Sequence, residues 1–504
     1  MRRPLLIAAA VGLLVAVLAF LIAPHPHRLG SAESGDAELA DRVHATLDGD
    51  TGGYRGLSVA LVDRGRITTT LVGAAPGGPR FEIGSTTKAM TGMLFADMVA
   101  AGTVRADETL AQVLPAVRFD DPETASITLA ELASHRSGLP RLAPGRLSLA
   151  RSWFATVRGS SPYAGQDVDA VLNAVAGASP GDGRGQVAYS NFGMAVLGQA
   201  LAAKAGRPYE QLLTERLLRP LAMSDTDIVP STPPELLSQP ASLPVGPGEG
   251  STATGHRTEA WSGEGYAPAG VGPQSTAADM AKLVAASLAG TAPGADATNP
   301  RFAREGDSDG RIGYAWFTNR YGDREITWHN GATGGFSSYM AFDRSTQQGV
   351  VVLGNTDRDV EWIGLRLLGA EPPNGAASDS PGLLRIVATS ILLVWAASSL
   401  VLLALTRTGQ EKTLWRSSPD RLRFVTTVLT TMAVLVLAHL IGAWLQVPPV
   451  LWALAAGLAA AGAALLVLRW RELPAISDGK PWSRWAQAAI SAVVSVLVTV
   501  ALAT

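Results

Sequence analysis

Apolar residues are concentrated at the two ends of this chain, in runs long enough to cross a membrane. One run extends from Leu5 to Ala23, directly after Arg2 and Arg3. Four more follow after about residue 385, at roughly 386–405, 425–446, 450–468 and 486–503. Each is close to the ~20 residues that a membrane-spanning helix requires. The pattern predicts a four-helix transmembrane bundle in residues 385–504 and a signal sequence or N-terminal membrane anchor in residues 1–30.

The distribution of basic residues predicts how these helices are oriented. The loop between the first two of the four helices carries five lysine or arginine residues, the loop between the last two carries four, and the turn between the middle two carries none. Because lysine and arginine are enriched in cytoplasmic loops, both basic loops should be cytoplasmic. The segment between Ala23 and about residue 384 should then lie outside the cell. The N-terminal run is longer than the apolar core of most signal peptides, which favours a retained anchor.

Between the apolar ends, short periodic segments predict an α+β domain. Two apolar-rich runs flank a charged turn in residues 57–73, which is typical of a β-hairpin, and further strand-like runs follow residue 325. Segments with helical spacing lie between them, the first containing Met90, Met93 and Leu94. Strands at both ends indicate a sheet completed from distant parts of the chain. We assign the domain to residues 36–370 and a Pro/Gly/Ser-rich linker to residues 371–384.

Composition excludes several classes of function. The 504 residues include 41 basic and 43 acidic side chains, giving a net charge of −2, and no basic region indicates a nucleic-acid partner. The chain has no cysteine, which excludes disulfides, thiolate metal clusters and a cysteine nucleophile. We find no cluster of residues that predicts a metal or an organic cofactor, and no H-E-x-x-H or G-x-S-x-G motif that would indicate a zinc hydrolase or an α/β-hydrolase.

The stretch FEIGSTTKAM places a serine and a lysine three residues apart, as Ser85 and Lys88. Residues at this spacing share one face of a helix, so the amine can reach the hydroxyl. Unlike arginine, a buried lysine can lose its proton and act as a base. The spacing alone is weak evidence, because Ser477 and Lys480 repeat it in a loop that we place in the cytoplasm.

Two other short motifs carry polar groups at turns. Tyr189 and Asn191 precede an apolar helical segment; a tyrosine beside a lysine can exchange protons with it, and an asparagine amide can hold both the lysine and a substrate carbonyl. His329 and Gly331 lie where a strand enters a glycine-rich stretch. There the backbone N–H of Ala332 could form an oxyanion hole with that of the nucleophile, and the histidine could add a donor or a positive charge.

Taken in this order, the three motifs resemble the active-site set of the serine β-lactamase and penicillin-binding protein superfamily, in which S-x-x-K is followed by a polar triplet and K-T-G. The resemblance covers roughly residues 50–360. Within the superfamily, the chain resembles in particular the class C β-lactamase-related branch, which includes D,D-carboxypeptidases, D-aminopeptidases and esterases. The stretches that carry it are FEIGSTTKAMTGML, ITLAELASHRSGLP, YSNFGMAVLG and HNGATGGFSSYMAFD.

The resemblance implies a β-lactamase/transpeptidase-like fold, in which helices and a helical subdomain flank an antiparallel sheet. It implies that Ser85 is acylated, that Lys88 and Tyr189 move its proton, and that Asn191 orients lysine and substrate. His329 takes the place of the K-T-G lysine, with Gly331 and Ala332 beside it. His135, Ser137, Gly270 and Gly272 match further motif positions, and we interpret them as structural.

The H-N-G motif departs from K-T-G, because histidine is only partly charged near neutral pH and asparagine replaces a hydroxyl. By the resemblance, H-x-G is more typical of the peptidase and esterase branches than of efficient β-lactamases. We therefore expect a serine hydrolase of peptide or ester bonds in the cell envelope, possessing a multi-pass membrane anchor and an extracytoplasmic domain. Three alternatives stay open: a β-lactamase, an acyltransferase or peptide cyclase of the same fold, and a non-catalytic β-lactam sensor.

Overall fold

A computed structural model describes residues 2–73, 80–145, 158–228, 249–372, 383–406 and 419–476, together with single positions elsewhere. The chain forms two compact units. One comprises His27–Ala253 and Arg257–Asp379, and the other comprises Met1–Pro26, Thr254–His256 and Ser380–Thr504.

The first unit contains the predicted sheet. Its described strands are β1 (Glu33–Gly35), β2 (Leu57–Asp63), β3 (Arg66–Val72), β4 (Phe81–Glu82), β5 (Asp227–Ile228), β6 (Pro273–Ser275), β7 (Phe302–Arg304), β8 (Asp307–Ile312), β9 (Phe317–Tyr321), β10 (Arg324–Ala332), β11 (Ser337–Asp343) and β12 (Gln348–Gly354). Among the described residues, nine of them form an antiparallel sheet in the order β1-β3-β2-β12-β11-β10-β9-β8-β7. β4, β6 and β5 form a small second sheet.

Strands from the two ends of the first unit pair with each other near the centre of the large sheet, as the sequence predicted. β2 and β3 form the hairpin, and β2 pairs with β12 so that Val59 lies opposite Val352. β1 pairs with β3, so the folded unit begins before the predicted boundary at residue 36. Distant strands can join in this way because the helices between them cover the sheet rather than interrupt it.

Helices cover both faces of the sheet. The described helices of this unit are α2 (Ala37–Leu47), α3 (Thr86–Ala100), α4 (Leu110–Val113), α5 (Pro122–Ala125), α6 (Leu129–Ala133), α7 (Val168–Ala176), α8 (Asn191–Ala205), α9 (Tyr209–Leu213), α10 (Ala277–Leu288) and α11 (Glu361–Leu367). The first helix of the chain, α1 (Arg2–Leu21), belongs to the second unit. Short turns of other helix types lie at Thr214–Leu218, Glu264–Ala269 and Ala295–Thr298.

Alternation along the central strands divides the core into two clusters. In β12, Val351 and Leu353 pack with α3, α8 and α10, whereas Val350 and Val352 pack on the opposite face with α2 and α11. Successive side chains of a strand point to opposite faces, so an unbroken apolar run serves both clusters. Most of α3 is buried, which holds the segment that follows Ser85 rigidly inside the larger cluster.

The second unit consists of apolar helices. They are α1 (Arg2–Leu21), α12 (Leu383–Leu405), α13 (Arg421–Ile441) and α14 (Val450–Leu468), with a short helical turn at Trp470–Glu472. Among the described residues, four helices are long and apolar enough to cross a membrane, and these are α1, α12, α13 and α14. The predicted helix at 486–503 and residues 373–382 of the predicted linker lie outside the described residues, apart from single positions of the helix.

α1 and α14 pack closely because small residues face each other. A Cβ on Gly12 would lie 2.8 Å from the carbonyl oxygen of Gly457, and a Cβ on Gly457 would lie 2.7 Å from the Cβ of Ala16. Small residues at such positions allow two helix backbones to approach and make many van der Waals contacts. The N-terminal apolar run is therefore a packed member of this helical unit.

Candidate active site

Ser85 and Lys88 meet at the first turn of α3. Ser85 occupies the N-cap position, but its hydroxyl caps no backbone N–H of the helix. Instead, the Lys88 Nζ lies 2.7 Å from the Ser85 Oγ. The hydroxyl therefore pairs with the amine that the sequence predicted for it and does not act as a helix cap. The second motif, at Ser477 and Lys480, lies outside the described residues.

The surroundings of Lys88 favour the neutral amine. Its side chain is completely buried, and burial, followed by the positive charge of Arg141, lowers the pKa of Lys88 well below its ordinary value. The Nζ also donates a hydrogen bond to the carbonyl of Ala269. Because a neutral amine that donates to this carbonyl keeps its lone pair, the nitrogen can accept the proton of Ser85.

Tyr189 lies beside the lysine at the start of α8. The Ser190 Oγ accepts a hydrogen bond from the Gly193 N–H at 2.8 Å and so fixes the beginning of this helix. The Tyr189 ring centroid lies 5.0 Å from the Lys88 Nζ. Burial raises the pKa of Tyr189, while a hydrogen bond to Ser85 lowers it to a lesser degree. The phenol is therefore protonated at rest, which suits a proton donor better than a base.

The structure changes the interpretation of Asn191. The sequence suggested that the Asn191 amide holds Lys88. In the structure its Nδ2 instead donates a hydrogen bond of 2.7 Å to the hydroxyl of Tyr163. Its Oδ1 is buried and has no hydrogen-bond partner among the described residues. Asn191 still lines the cleft beside Ser85. An amide fixed in this way offers a substrate a hydrogen-bond acceptor, whereas the expected hold on the lysine is absent.

The structure also changes the interpretation of His329. The ring is completely buried, and its Nδ1 is 2.6 Å from the carbonyl oxygen of Asn330. Burial, followed by the charge of Lys88, lowers the pKa of His329 to about 3. The histidine is neutral, so it cannot supply the positive charge that the lysine of K-T-G would bring. On β10 it is the neighbouring residues Trp328 and Asn330 that line the cleft.

The backbone of β10 lies very close to the backbone of the nucleophile. A Cβ on Gly331 would lie 2.8 Å from the Ser85 nitrogen and 2.4 Å from the Ile83 carbonyl oxygen, and one on Gly270 would lie 2.1 Å from the Gly84 carbonyl oxygen. Neither position has room for a larger residue. Ser85, Gly331 and Ala332 all line the cleft. This arrangement is compatible with the predicted oxyanion hole, which stays a prediction.

The cleft itself has a volume of about 640 Å³ and extends beyond the predicted residues. Sequence reasoning missed its aromatic walls and its ionic groups; besides the residues already named, the lining includes Tyr163, Trp261, Phe317, Arg141, Arg304, Asp357 and Asp359. Most of these residues lie in loops or strand ends without a chemical motif. For Arg141 the one available signal was its position directly after the SGLP segment.

His135 and Ser137 are structural, as interpreted from the sequence. The His135 Nδ1 accepts a hydrogen bond from the Ser190 N–H at 3.2 Å, and the His135 ring packs 4.7 Å from that of Tyr189. The Ser137 Oγ accepts from the Leu139 N–H at 3.3 Å. Both side chains are buried, and they support the turn that carries Tyr189 rather than line the cleft.

Comparison with known proteins agrees with this geometry. The family model described as Beta-lactamase matches residues 38–370, which is more than half of the chain. The chain belongs to the β-lactamase family. The match includes the large sheet apart from β1, the helices on both of its faces and all residues of the site, so the β-lactamase/transpeptidase-like fold expected from the sequence is confirmed.

Among curated β-lactamase-family relatives, the chain is similar to the D-alanyl-D-alanine-carboxypeptidase/endopeptidase AmpH of Escherichia coli (strain K12). The two are 37% identical over 150 residues, which is 30% of this chain and 37% of that protein. Penicillin-binding protein 4 of Amycolatopsis lactamdurans is 30% identical over 151 residues, covering 30% of this chain and 36% of the relative. The chain thus spans little more than a third of the length of these relatives.

Solved structures share the fold. A class C β-lactamase from Rhodobacter sphaeroides superposes with a TM-score of 0.50 and 22% identity, covering 63% of this chain and 94% of that one. A β-lactamase/D-alanine carboxypeptidase from Pseudomonas syringae gives a TM-score of 0.54 and 18% identity, covering 66% of this chain and all of that one. At these identities the likeness establishes the architecture alone.

Proposed function

We propose that this protein is a membrane-anchored serine hydrolase that forms an acyl-enzyme at Ser85. Its substrates are D-amino-acid peptide or ester bonds of the cell envelope. The observation that carries the proposal is the 2.7 Å contact between the Lys88 Nζ and the Ser85 Oγ inside a large cleft. A buried amine with a lowered pKa beside a half-buried hydroxyl is the arrangement that activates a serine nucleophile.

In this reaction, the Ser85 Oγ attacks the carbonyl carbon of the substrate while its proton passes to the neutral Lys88 amine. The bond to the leaving nitrogen or oxygen then breaks, and that atom takes up a proton from the Lys88 ammonium through the Tyr189 hydroxyl. Water hydrolyses the resulting ester and restores the Ser85 hydroxyl. The backbone N–H groups of Ser85 and Ala332 would stabilise the oxyanion formed in each half-reaction.

The proposed bond type is supported by the relatives and by the H-N-G motif. The Escherichia coli relative is named as a D-alanyl-D-alanine-carboxypeptidase/endopeptidase. Because His329 is buried and neutral, it does not supply the positive charge of the K-T-G lysine. By the resemblance, this difference favours the peptidase and esterase branches over the β-lactamases.

The proposed location is the outer surface of the cell membrane. The four apolar helices and the basic loops at their ends support a multi-pass anchor with the hydrolase unit outside. The close contact of Gly12 with Gly457 supports retention of the N-terminal helix, because removing it would expose the small-residue surface of α14.

Intact-protein mass spectrometry after incubation with a penicillin tests the acyl-enzyme, with Ser85→Ala as the control. We expect a mass increase equal to the drug in the wild-type protein and none in the control. Release of a D-alanine from an acyl-D-alanyl-D-alanine peptide by the wild-type protein then identifies the peptidase. Drug consumption without an adduct would identify a β-lactamase instead, and an adduct that persists in the control would refute Ser85 as the nucleophile.

A further inference from the structure

The positive charges around the cleft are not where the K-T-G pattern would place them. Lys88 and His329 are completely buried, and burial lowers the pKa of each, which disfavours their charged forms. Arg304 lines the cleft, but its guanidinium lies 3.2 Å from the carboxylate of Asp307. Among the described cleft residues, Arg141 is thus the cation that lacks a carboxylate partner within the protein.

Backbone hydrogen bonds fix the position of Arg141. Its carbonyl oxygen accepts from the N–H groups of Asn191 and Phe192 at 3.1 and 3.2 Å, and the preceding Pro140 carbonyl accepts from the Ser190 Oγ at 2.7 Å. These bonds attach the Arg141 backbone to the start of α8, the helix that follows Tyr189. The position of this arginine in the cleft wall is therefore set by the fold and not by a flexible loop end.

The guanidinium lies close to the reacting groups while its side chain stays exposed. The Arg141 Cζ is 5.3 Å from the Tyr189 ring centroid. Its charge lowers the pKa of Lys88 and also acts on Tyr163 and Tyr189. An exposed guanidinium at this distance can contact a substrate that is bound to Ser85, and its planar set of donors matches a carboxylate.

We propose that Arg141 binds a carboxylate of the acyl donor and so determines which substrates reach Ser85. The inference rests on the proposed function of the cleft and adds a substrate class to it, namely acyl donors that carry a negative charge near the reacting carbonyl. The charge that recognises this group comes from the segment after residue 138, whose backbone is bound to the start of α8, and not from β10, where K-T-G would place its lysine.

The test uses two pairs of thioester acyl donors on the full-length protein in detergent. In the first pair the acyl group is glutaryl or its carboxamide, and in the second the leaving thiol is mercaptoacetate or mercaptoacetamide. We expect the wild-type protein to prefer the carboxylate member of one pair by about tenfold or more in kcat/KM, mainly through KM. Arg141→Gln should abolish the preference, and Arg141→Lys should restore part of it.

Arg304→Gln is the matched control, since it removes a cation that lines the same cleft but is already ion-paired. The control should keep the preference. Equal rates for both members of both pairs, or a preference that survives Arg141→Gln, would overturn the proposal. An equal loss of the carboxylate preference in Arg304→Gln would also overturn the proposal, because a general effect of positive charge would then explain the data.

Binding without turnover separates this inference from the proposed function. Calorimetric titration of the same four compounds into Ser85→Ala protein measures the carboxylate preference directly. A preference that depends on Arg141 supports the inference even if no penicillin adduct forms and no peptide is cleaved. Equal binding of both members of both pairs contradicts the inference, even if Ser85 is acylated as proposed.

Discussion

The Lys88 Nζ lies 2.7 Å from the Ser85 Oγ at the first turn of a buried helix. The two residues are three positions apart in sequence, yet the amine is fully buried whereas the hydroxyl borders the cleft. The contact explains why this position holds one of the chain's few lysines. A base that must lose its own proton before it can accept another benefits from burial, and an arginine could not perform this role.

Replacing Lys88 with methionine should remove the base and retain most of the packing volume. We expect acylation of Ser85 by a penicillin or a thioester to slow by about a hundredfold or more. Stopped reactions analysed by intact-mass spectrometry give the rate. In the wild-type protein, the rate should fall as the pH is lowered through the depressed pKa of Lys88, because the protonated amine cannot accept a proton. Acylation of Lys88→Met within about threefold of wild type would contradict this role.

Tyr189→Phe tests whether the phenol acts as an acid. Since burial raises the pKa of Tyr189, we expect it to donate a proton to the leaving group. The variant should then lose about a hundredfold in rate on a peptide, whose amine must be protonated, and far less on a thioester with a good leaving group. Initial rates on both substrates provide the ratio. Equal losses on both would instead indicate that the tyrosine acts as the base.

Glu82→Gln should change how stability depends on pH. Glu82 is buried, its Oε1 accepts from the Trp261 N–H at 2.8 Å, and burial raises its pKa to about 7 despite this hydrogen bond. Between the unfolded value of about 4.5 and the folded value of about 7, the folded state holds a proton that the unfolded state has lost. Stability should therefore fall as the pH rises through this window.

The glutamine variant keeps a neutral side chain of the same shape and should lose this part of the pH dependence. Thermal unfolding of wild type and variant, compared at about pH 5 and about pH 8, measures the difference. We expect the Tm of the wild-type protein to decline more than that of Glu82→Gln. Parallel declines would show that the Glu82 carboxyl is not protonated in the folded protein.

Gly331→Ala should move β10 away from the nucleophile. The added Cβ would lie 2.8 Å from the Ser85 nitrogen and 2.4 Å from the Ile83 carbonyl oxygen, and backbone atoms cannot yield cheaply. We expect acylation to slow by about tenfold or more, since displaced oxyanion donors stabilise the transition state poorly. Gly177→Ala is the matched control, because its Cβ would contact only a side-chain oxygen at 3.7 Å. Equal activity of the two variants would contradict the predicted displacement.

The contact between α1 and α14 predicts that the N-terminal helix is retained. Because the chain has no cysteine, the pair Ala16→Cys and Gly457→Cys can be introduced without background. Oxidation in membranes should link the two helices, so that proteolysis between them leaves both fragments in one band on a non-reducing gel. Leu13→Cys with Gly457→Cys is the control, since Leu13 is exposed on α1. Mature protein that lacks residues 1–26 would contradict retention.

The sequence alone determined the features that depend on spacing along the chain. Ser85 and Lys88 share a helix turn, Tyr189 and Asn191 bracket the start of another helix, and the apolar runs have the length of membrane spans. These features could be predicted because helix and strand periods relate residues that are close in sequence. The completion of the sheet from both ends of the unit was also predictable, since the strand patterns lie at both ends.

Only the tertiary structure decided which groups carry charge and which side chains face the cleft. Alternation on β10 shows that His329 and Asn330 point in opposite directions, but the packing of other elements determines which of the two is buried. Burial then makes His329 neutral, and this cannot be read from the residue type. Arg141 and Asn191 acquire their contacts from chain segments distant in sequence. Their roles follow from packing and desolvation, which are properties of the folded chain and not of any short motif.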